Sequence, residues 1–204
     1  MPRYMNHRRF YARVVSVLFL FTIALSLLLA GCGKSAGGNS LHIKSAATGG
    51  EKALAVKSSY AFAVTKTFTD INNKITTASA YNVYVANYDL EAGNFAMTLD
   101  KSLTSDEQVR VTFNLVGAEG TNDKSPLKTG TYSAKADKYM KVETAGVVTR
   151  KGGADSKLWL DRSTLTGEVK VTSVSADSIS GDVDLTAGEN TIKGSFTAKV
   201  LTRK

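Results

Sequence analysis

From residue 52 onward the chain alternates hydrophobic and polar side chains with a period of two, the spacing that sends neighbours to opposite faces of a β-strand. Tyr60, Phe62 and Val64 alternate with Ala61, Ala63 and Thr65, and Tyr81, Val83 and Val85 alternate with Asn82, Tyr84 and Ala86. Phe95, Met97 and Leu99 predict a further strand. Val109, Val111, Phe113 and Leu115 predict one face of another, with Arg110, Thr112 and Asn114 facing the other way. Residues 117–126, rich in glycine and short polar side chains, predict an exposed loop.

The C-terminal third repeats one scheme. Gly167, Gly181 and Gly194, at offsets of 14 and 13, each open a run of alternating apolar and polar residues, with turn signals near residues 175–178 and 187–190. Such spacing predicts a three-stranded meander. Val169, Val171, Val183, Leu185, Phe196, Ala198 and Val200 form its dry face, and Glu168, Lys170, Asp182, Asp184, Lys193 and Lys199 its wet face. Residues 67–79 are the least regular: Phe68, Ile71 and Ile75 fit helical spacing, whereas residues 69–73 suggest a turn. In all, about nine to eleven short strands are expected, an all-β domain over residues 52–204 built as an antiparallel β-sandwich or β-barrel.

The pattern upstream is different. Residues 1–13 carry Arg3, Arg8, Arg9 and Arg13 and no acidic residue, and residues 14–29 form an uncharged apolar run of 16. That run is shorter than the roughly 20 residues a permanent transmembrane helix needs. A basic start, a short apolar stretch and small residues before a cut describe a secretory signal peptide. Leu29-Ala30-Gly31-Cys32 resembles the lipobox of bacterial lipoproteins. The resemblance covers residues 1–32. It implies cleavage between Gly31 and Cys32, a diacylglyceryl group on the Cys32 thiol and frequent acylation of the new amine. At about 0.8 kcal/mol per buried methylene, one acyl chain holds a membrane only reversibly, and two or three hold it stably. Cys32 is then an anchor and not a catalyst. Gly33 stands where aspartate would favour retention at the inner membrane in such lipoproteins, so the resemblance implies the outer membrane in a source that has one. The tail over residues 167–200 also resembles the ends of small β-rich envelope lipoproteins, a likeness from which no activity follows.

Residues 33–50 are rich in Gly, Ser and Ala, and together with Cys32 and Glu51 are expected to form a flexible tether. A Gly-rich coil of that length reaches about 23 Å. Leu41 and Ile43 alternate and offer the other possibility, a short edge strand.

Charge narrows the partners. The chain carries +8, and removing the four leader arginines leaves 22 basic against 18 acidic side chains, a net +4. The charges are interspersed, without the basic stripe of a nucleic-acid-binding protein. One cysteine excludes a disulfide framework and a multi-cysteine zinc site.

Candidate chemistry is sparse. The only histidine after the leader, His42, falls in the expected tether, so a serine or cysteine nucleophile has no evident imidazole partner. Asp182 and Asp184 project from one strand face and suit paired acid/base work or an oxygen-liganded cation, though Lys170 and Lys193 nearby favour an ordinary solvated face. Glu119, Asn122 and Asp123 are oxygen donors in the long loop without the spacing of a calcium-binding loop. Trp159, the only tryptophan, suits a core anchor better than a pocket edge. Tyr81, Tyr84 and Tyr88 are candidate contacts for sugar or peptide; Tyr84 faces away from Tyr81 and Val83, so at least one exposed tyrosine is expected. Tyr84 and Trp159 are thus the candidate ligand-binding residues, and no catalytic, metal or cofactor site is expected. The expectation is a lipid-anchored, non-catalytic β domain that binds an envelope protein or polysaccharide or has a structural role. The alternative is a lipocalin-like carrier or sensor of a small apolar ligand, which needs an apolar void inside a closed barrel.

Overall fold

The computed structural model describes residues 39–92 and 99–201. The leader, Gly31, Cys32 and most of the strand expected around Phe95 and Met97 lie outside the described residues. Eleven strands follow one another: β1 (Ser40–Ser45), β2 (Gly50–Leu54), β3 (Ser58–Thr69), β4 (Ile75–Ala86), β5 (Val109–Glu119), β6 (Gly130–Ser133), β7 (Lys141–Lys151), β8 (Ala154–Trp159), β9 (Thr166–Val174), β10 (Ser178–Ala187) and β11 (Asn190–Leu201). The domain is all-β, as the alternation predicts.

Hydrogen-bond pairing builds two antiparallel sheets. One has the order β3-β4-β5-β7-β8, the other β6-β9-β10-β11-β1-β2. They are joined at two seams by short parallel pairings, β11 with β3 over Lys199, Val200 and Leu201, and β6 with β7 at Ser133 and Lys141. The strands β3, β4, β5, β7, β6, β9, β10 and β11 thereby close into a ring, so the architecture is a barrel-like sandwich. Its inner faces share one core, which draws Val83, Phe113 and Val147 from the first sheet and Leu41, Val169, Val183 and Phe196 from the second. At its centre Phe113 and Phe196 meet edge to face, ring centroids 5.0 Å apart, the geometry that the ring quadrupole favours.

The C-terminal meander forms as predicted. Val169, Val171, Val183, Leu185, Phe196 and Ala198 are buried while Glu168, Lys170, Asp182, Asp184, Lys193 and Lys199 are exposed. Two of its opening glycines have a steric reason: a Cβ at Gly167 would sit 2.0 Å from the Asp184 carbonyl oxygen, and one at Gly194 would sit 1.8 Å from that of Ser40.

The structure corrects several of these expectations. Gly50 and Glu51, expected at the end of the tether, open β2, and residues 40–45, expected within it, are strand β1. It lies between β11 and β2, not at an edge, and buries Leu41 and Ile43 completely. Two large aliphatic side chains at alternate positions outweigh the flexible composition around them. Residues 67–79 hold no helix: β3 runs to Thr69, β4 begins at Ile75, and residues 70–74 form the turn between them, in which the Asp70 carboxylate accepts the backbone N–H groups of Asn72 and Lys74 and Asn73 takes φ 61°. Residues 117–119, expected in the loop, extend β5.

Candidate functional site, the outward face of the first sheet

On β5, Val109, Val111, Phe113 and Leu115 point into the core, so Arg110, Thr112 and Asn114 point outward. These three polar residues are nonetheless buried, at 1%, 8% and 9% exposure. The sheet register sets their neighbours. Tyr60, Tyr84, Thr112, Gly146 and Trp159 form one row across β3, β4, β5, β7 and β8, and Phe62, Asn82, Asn114 and Thr144 form the next. With strands about 4.8 Å apart, Tyr84 and Trp159 lie three steps, roughly 14 Å, from one another.

Part of this face is covered by the connection between β4 and β5. Leu90 and Leu99 from that connection pack with Phe62, Tyr84 and Ala86, and the Phe62 and Tyr84 rings stack at 5.9 Å. Leu99, expected in a strand, belongs to this covering segment. Beneath it the Arg110 guanidinium donates from Nη1 to the Tyr88 hydroxyl at 3.2 Å and to the Lys101 carbonyl at 2.9 Å, with the Asp100 carboxylate 3.9 Å from Nη2. Burial, reinforced by the Asp100 negative charge, pushes the Tyr84 phenol up to about 12. Tyr84 therefore stays protonated at neutral pH and is a hydrogen-bond donor, not a base.

Three buried polar atoms have no hydrogen-bond partner among the described residues: Arg110 Nε, Thr112 Oγ1 and Asn114 Oδ1. All belong to consecutive outward positions of β5. Asn114 uses its Nδ2 to donate to Asn82 Oδ1 at 2.9 Å, which leaves its own oxygen as a free acceptor. Such orphans are uncommon in folded proteins, since each forfeits the hydration it had when unfolded. At the end of the Thr112 row stands Trp159, 55% exposed, its indole lying over Gly146 so closely that a Cβ there would meet Cε3 at 2.7 Å.

The two residues singled out from sequence thus share one cross-strand row, but their environments are exchanged. Trp159, expected in the core, is exposed, because strand alternation sends Leu160 inward and leaves the indole outside. Tyr84, expected to be open, is 6% exposed because the β4–β5 connection folds over it. Tyr81 faces the core and its hydroxyl donates to the Ser125 carbonyl at 3.3 Å. Tyr88 is half-buried over Arg110.

The other candidates fall elsewhere. Asp184 pairs with Lys193 at 3.0 Å on the exposed face of the second sheet, and Asp182 lies opposite Lys170. In the loop, Asn122 Oδ1 accepts from Lys124 N and Ser125 Oγ, and Asp123 Oδ1 accepts from Thr65 Oγ1, so both oxygens fasten the loop. Glu119 is exposed at the end of β5, and His42 is exposed on β1. Arg110, Thr112, Asn114, Asn82 and Gly146 were not predicted as site residues. The available signal was polar side chains at three alternate positions of the most apolar strand, which needed the covering segment to acquire meaning.

No family model, curated protein or solved structure matches the chain. The site therefore rests on its own chemistry. A hydroxyl, a pair of amides, a protonated phenol and an exposed indole together offer hydrogen bonds and a flat apolar plane.

Proposed function

We propose that this chain is a bacterial lipoprotein, anchored in the cell envelope by lipid on Cys32, whose β domain binds an envelope polysaccharide or protein without catalysing a reaction. The anchor rests on Leu29-Ala30-Gly31-Cys32 at the end of an apolar run of 16 residues. Binding rests on one observation above all: an exposed tryptophan ends the row that holds Thr112, whose buried hydroxyl oxygen, like the amide oxygen of Asn114 in the next row, has no hydrogen-bond partner among the described residues. Indole rings are concentrated at binding hot spots because they offer a large rigid contact area at little entropic cost. Carriage of an apolar ligand inside the ring is less well supported, since Phe113 and Phe196 pack against each other at its centre.

The anchor is tested by intact-mass measurement of protein recovered from its native membrane. A polypeptide beginning at Cys32 and carrying acyl mass is expected. Recovery of the chain with Met1 in place and no acyl mass would overturn the proposal.

A further inference from the structure

Thr112 Oγ1 and Asn114 Oδ1 are buried and have no hydrogen-bond partner among the described residues; Thr112 belongs to the row that ends in an exposed indole, and Asn114 to the row beside it. We infer that this part of the sheet is a subsite for a neutral glycan chain, with Trp159 as stacking platform and the two oxygens as hydrogen-bond partners of sugar hydroxyls. The inference rests on the binding role proposed above and names its ligand class.

Chemistry favours a sugar. Asn114 Oδ1, a carbonyl oxygen held in place by the Nδ2 bond to Asn82, can only accept, so its partner must be a donor. Thr112 Oγ1 can accept or donate. A glycan supplies hydroxyls on its rim and a flat C–H surface on each ring face, and the electron-rich face of an indole attracts such C–H groups. Thr112 and Trp159 are two strand steps apart, about 10 Å, the length of a disaccharide.

Apart from Lys157, the charges around the row are already paired, which favours a neutral chain. The row itself is uncharged, Arg110 faces Asp100, and Arg150 is paired with Asp155 at 3.1 Å. Lys157, one outward position before Trp159 on β8, is the cation an acidic glycan would use. A peptide would dock differently, by adding a strand to the free edge of β8, and would leave the outward oxygens unpartnered. The indole lies over Gly146, the residue between Thr112 and Trp159 in the row, and as an exposed side chain it changes rotamer fast.

The full-length chain, held in micelles of a sugar-free detergent, carries its own reporter in its single tryptophan. Cellotetraose, maltotetraose and N-acetylchitotetraose are the neutral probes, with polygalacturonate as the anionic comparison. A saturable change in Trp159 emission with at least one neutral probe is expected, with Kd of order 0.1–1 mM. By calorimetry, Trp159→Ala should weaken that binding about tenfold or more. Thr112→Val, which keeps the side-chain shape, should weaken it about threefold or more while the denaturation midpoint stays level or rises, an outcome a purely structural threonine would not give. The inference is overturned by silence from every neutral probe up to ~10 mM, by binding indifferent to Thr112→Val, or by binding of polygalacturonate alone. Photo-cross-linking from position 159 in the native envelope then separates the two levels. Capture of a protein would overturn the glycan and leave the binding role standing, and capture of no envelope component would overturn both.

Discussion

At the scale of single residues, two glycines decide how closely strands approach. Gly194 takes φ +130°, a conformation that side chains rarely adopt, and any Cβ would strike the Ser40 carbonyl at 1.8 Å. Both faults are in backbone, which cannot swing aside as a side chain can. Gly194→Ala should therefore push β1 away from β11 and cost about 3 kcal/mol or more, read as a lower denaturant midpoint. Gly146 is a different case. Its Cβ would meet the Trp159 ring at 2.7 Å and the Leu158 carbonyl at 2.9 Å, so the ring must rotate and β8 must also shift. Gly146→Ala should cost about 1–3 kcal/mol, and it should change the emission of Trp159 in the folded state, which Gly194→Ala should not. Fluorescence together with denaturation distinguishes the two sites, because only one of them touches the reporter.

At the scale of elements, β1 shows what local pattern can and cannot reveal. Only Leu41 and Ile43 mark it, among residues whose composition suits a linker. Its stability comes from partners distant in sequence: it pairs with β11 on one side and β2 on the other, and the turn that follows it offers the Ala47 carbonyl to Thr149 of β7 at 3.2 Å. A domain cut at residue 52, where alternation begins, would leave one side of β11 unpaired there. Ile43→Ala should cost about 2–5 kcal/mol, and the amides of residues 41–44 should exchange as slowly as those of the core strands. Protection no greater than that of a disordered tether would refute this placement. The meander, by contrast, was fully legible, because β9, β10 and β11 are consecutive, pair with their sequence neighbours and have one wet face. The candidate site was legible only in part. Alternation gave the outward direction of Arg110, Thr112, Asn114 and Tyr84 correctly, but whether an outward residue is covered depends on the path of the connection between β4 and β5, where the alternation of Phe95, Met97 and Leu99 predicts a strand and does not say what lies beneath it. The same limit misplaced Trp159: apolar character suggested the core, whereas register on an edge strand assigns it to the outside.

At the scale of the whole molecule, burial of phenols ties stability to alkaline pH. Tyr132, within the shared core, is pushed up to about 12 chiefly by burial, as is Tyr84 beneath the outer cover, and Tyr81 and Tyr88 are raised in the same direction for the same leading reason. An unfolded tyrosine titrates near 10. Between about pH 10 and pH 12 the unfolded chain therefore loses phenolic protons that the folded chain still holds, and stability falls as pH rises. Below pH 10 both states are protonated at these positions and the phenols contribute no slope. The expected profile of denaturation midpoint against pH is thus free of dependence on these four phenols through the neutral range and falls above pH 10, with their phenolate absorbance appearing together with unfolding. Because the raised groups lie on both sides of the first sheet, the loss should involve core and cover in one transition. The double variant Tyr84→Phe with Tyr132→Phe makes the argument specific. Losing the Tyr132 hydroxyl, which donates to the Lys128 carbonyl at 2.8 Å, should lower stability at neutral pH by about 1 kcal/mol. The alkaline fall should nevertheless become shallower, since two of the protons responsible are gone. An equally steep fall in the double variant would assign alkaline unfolding to groups other than these two phenols.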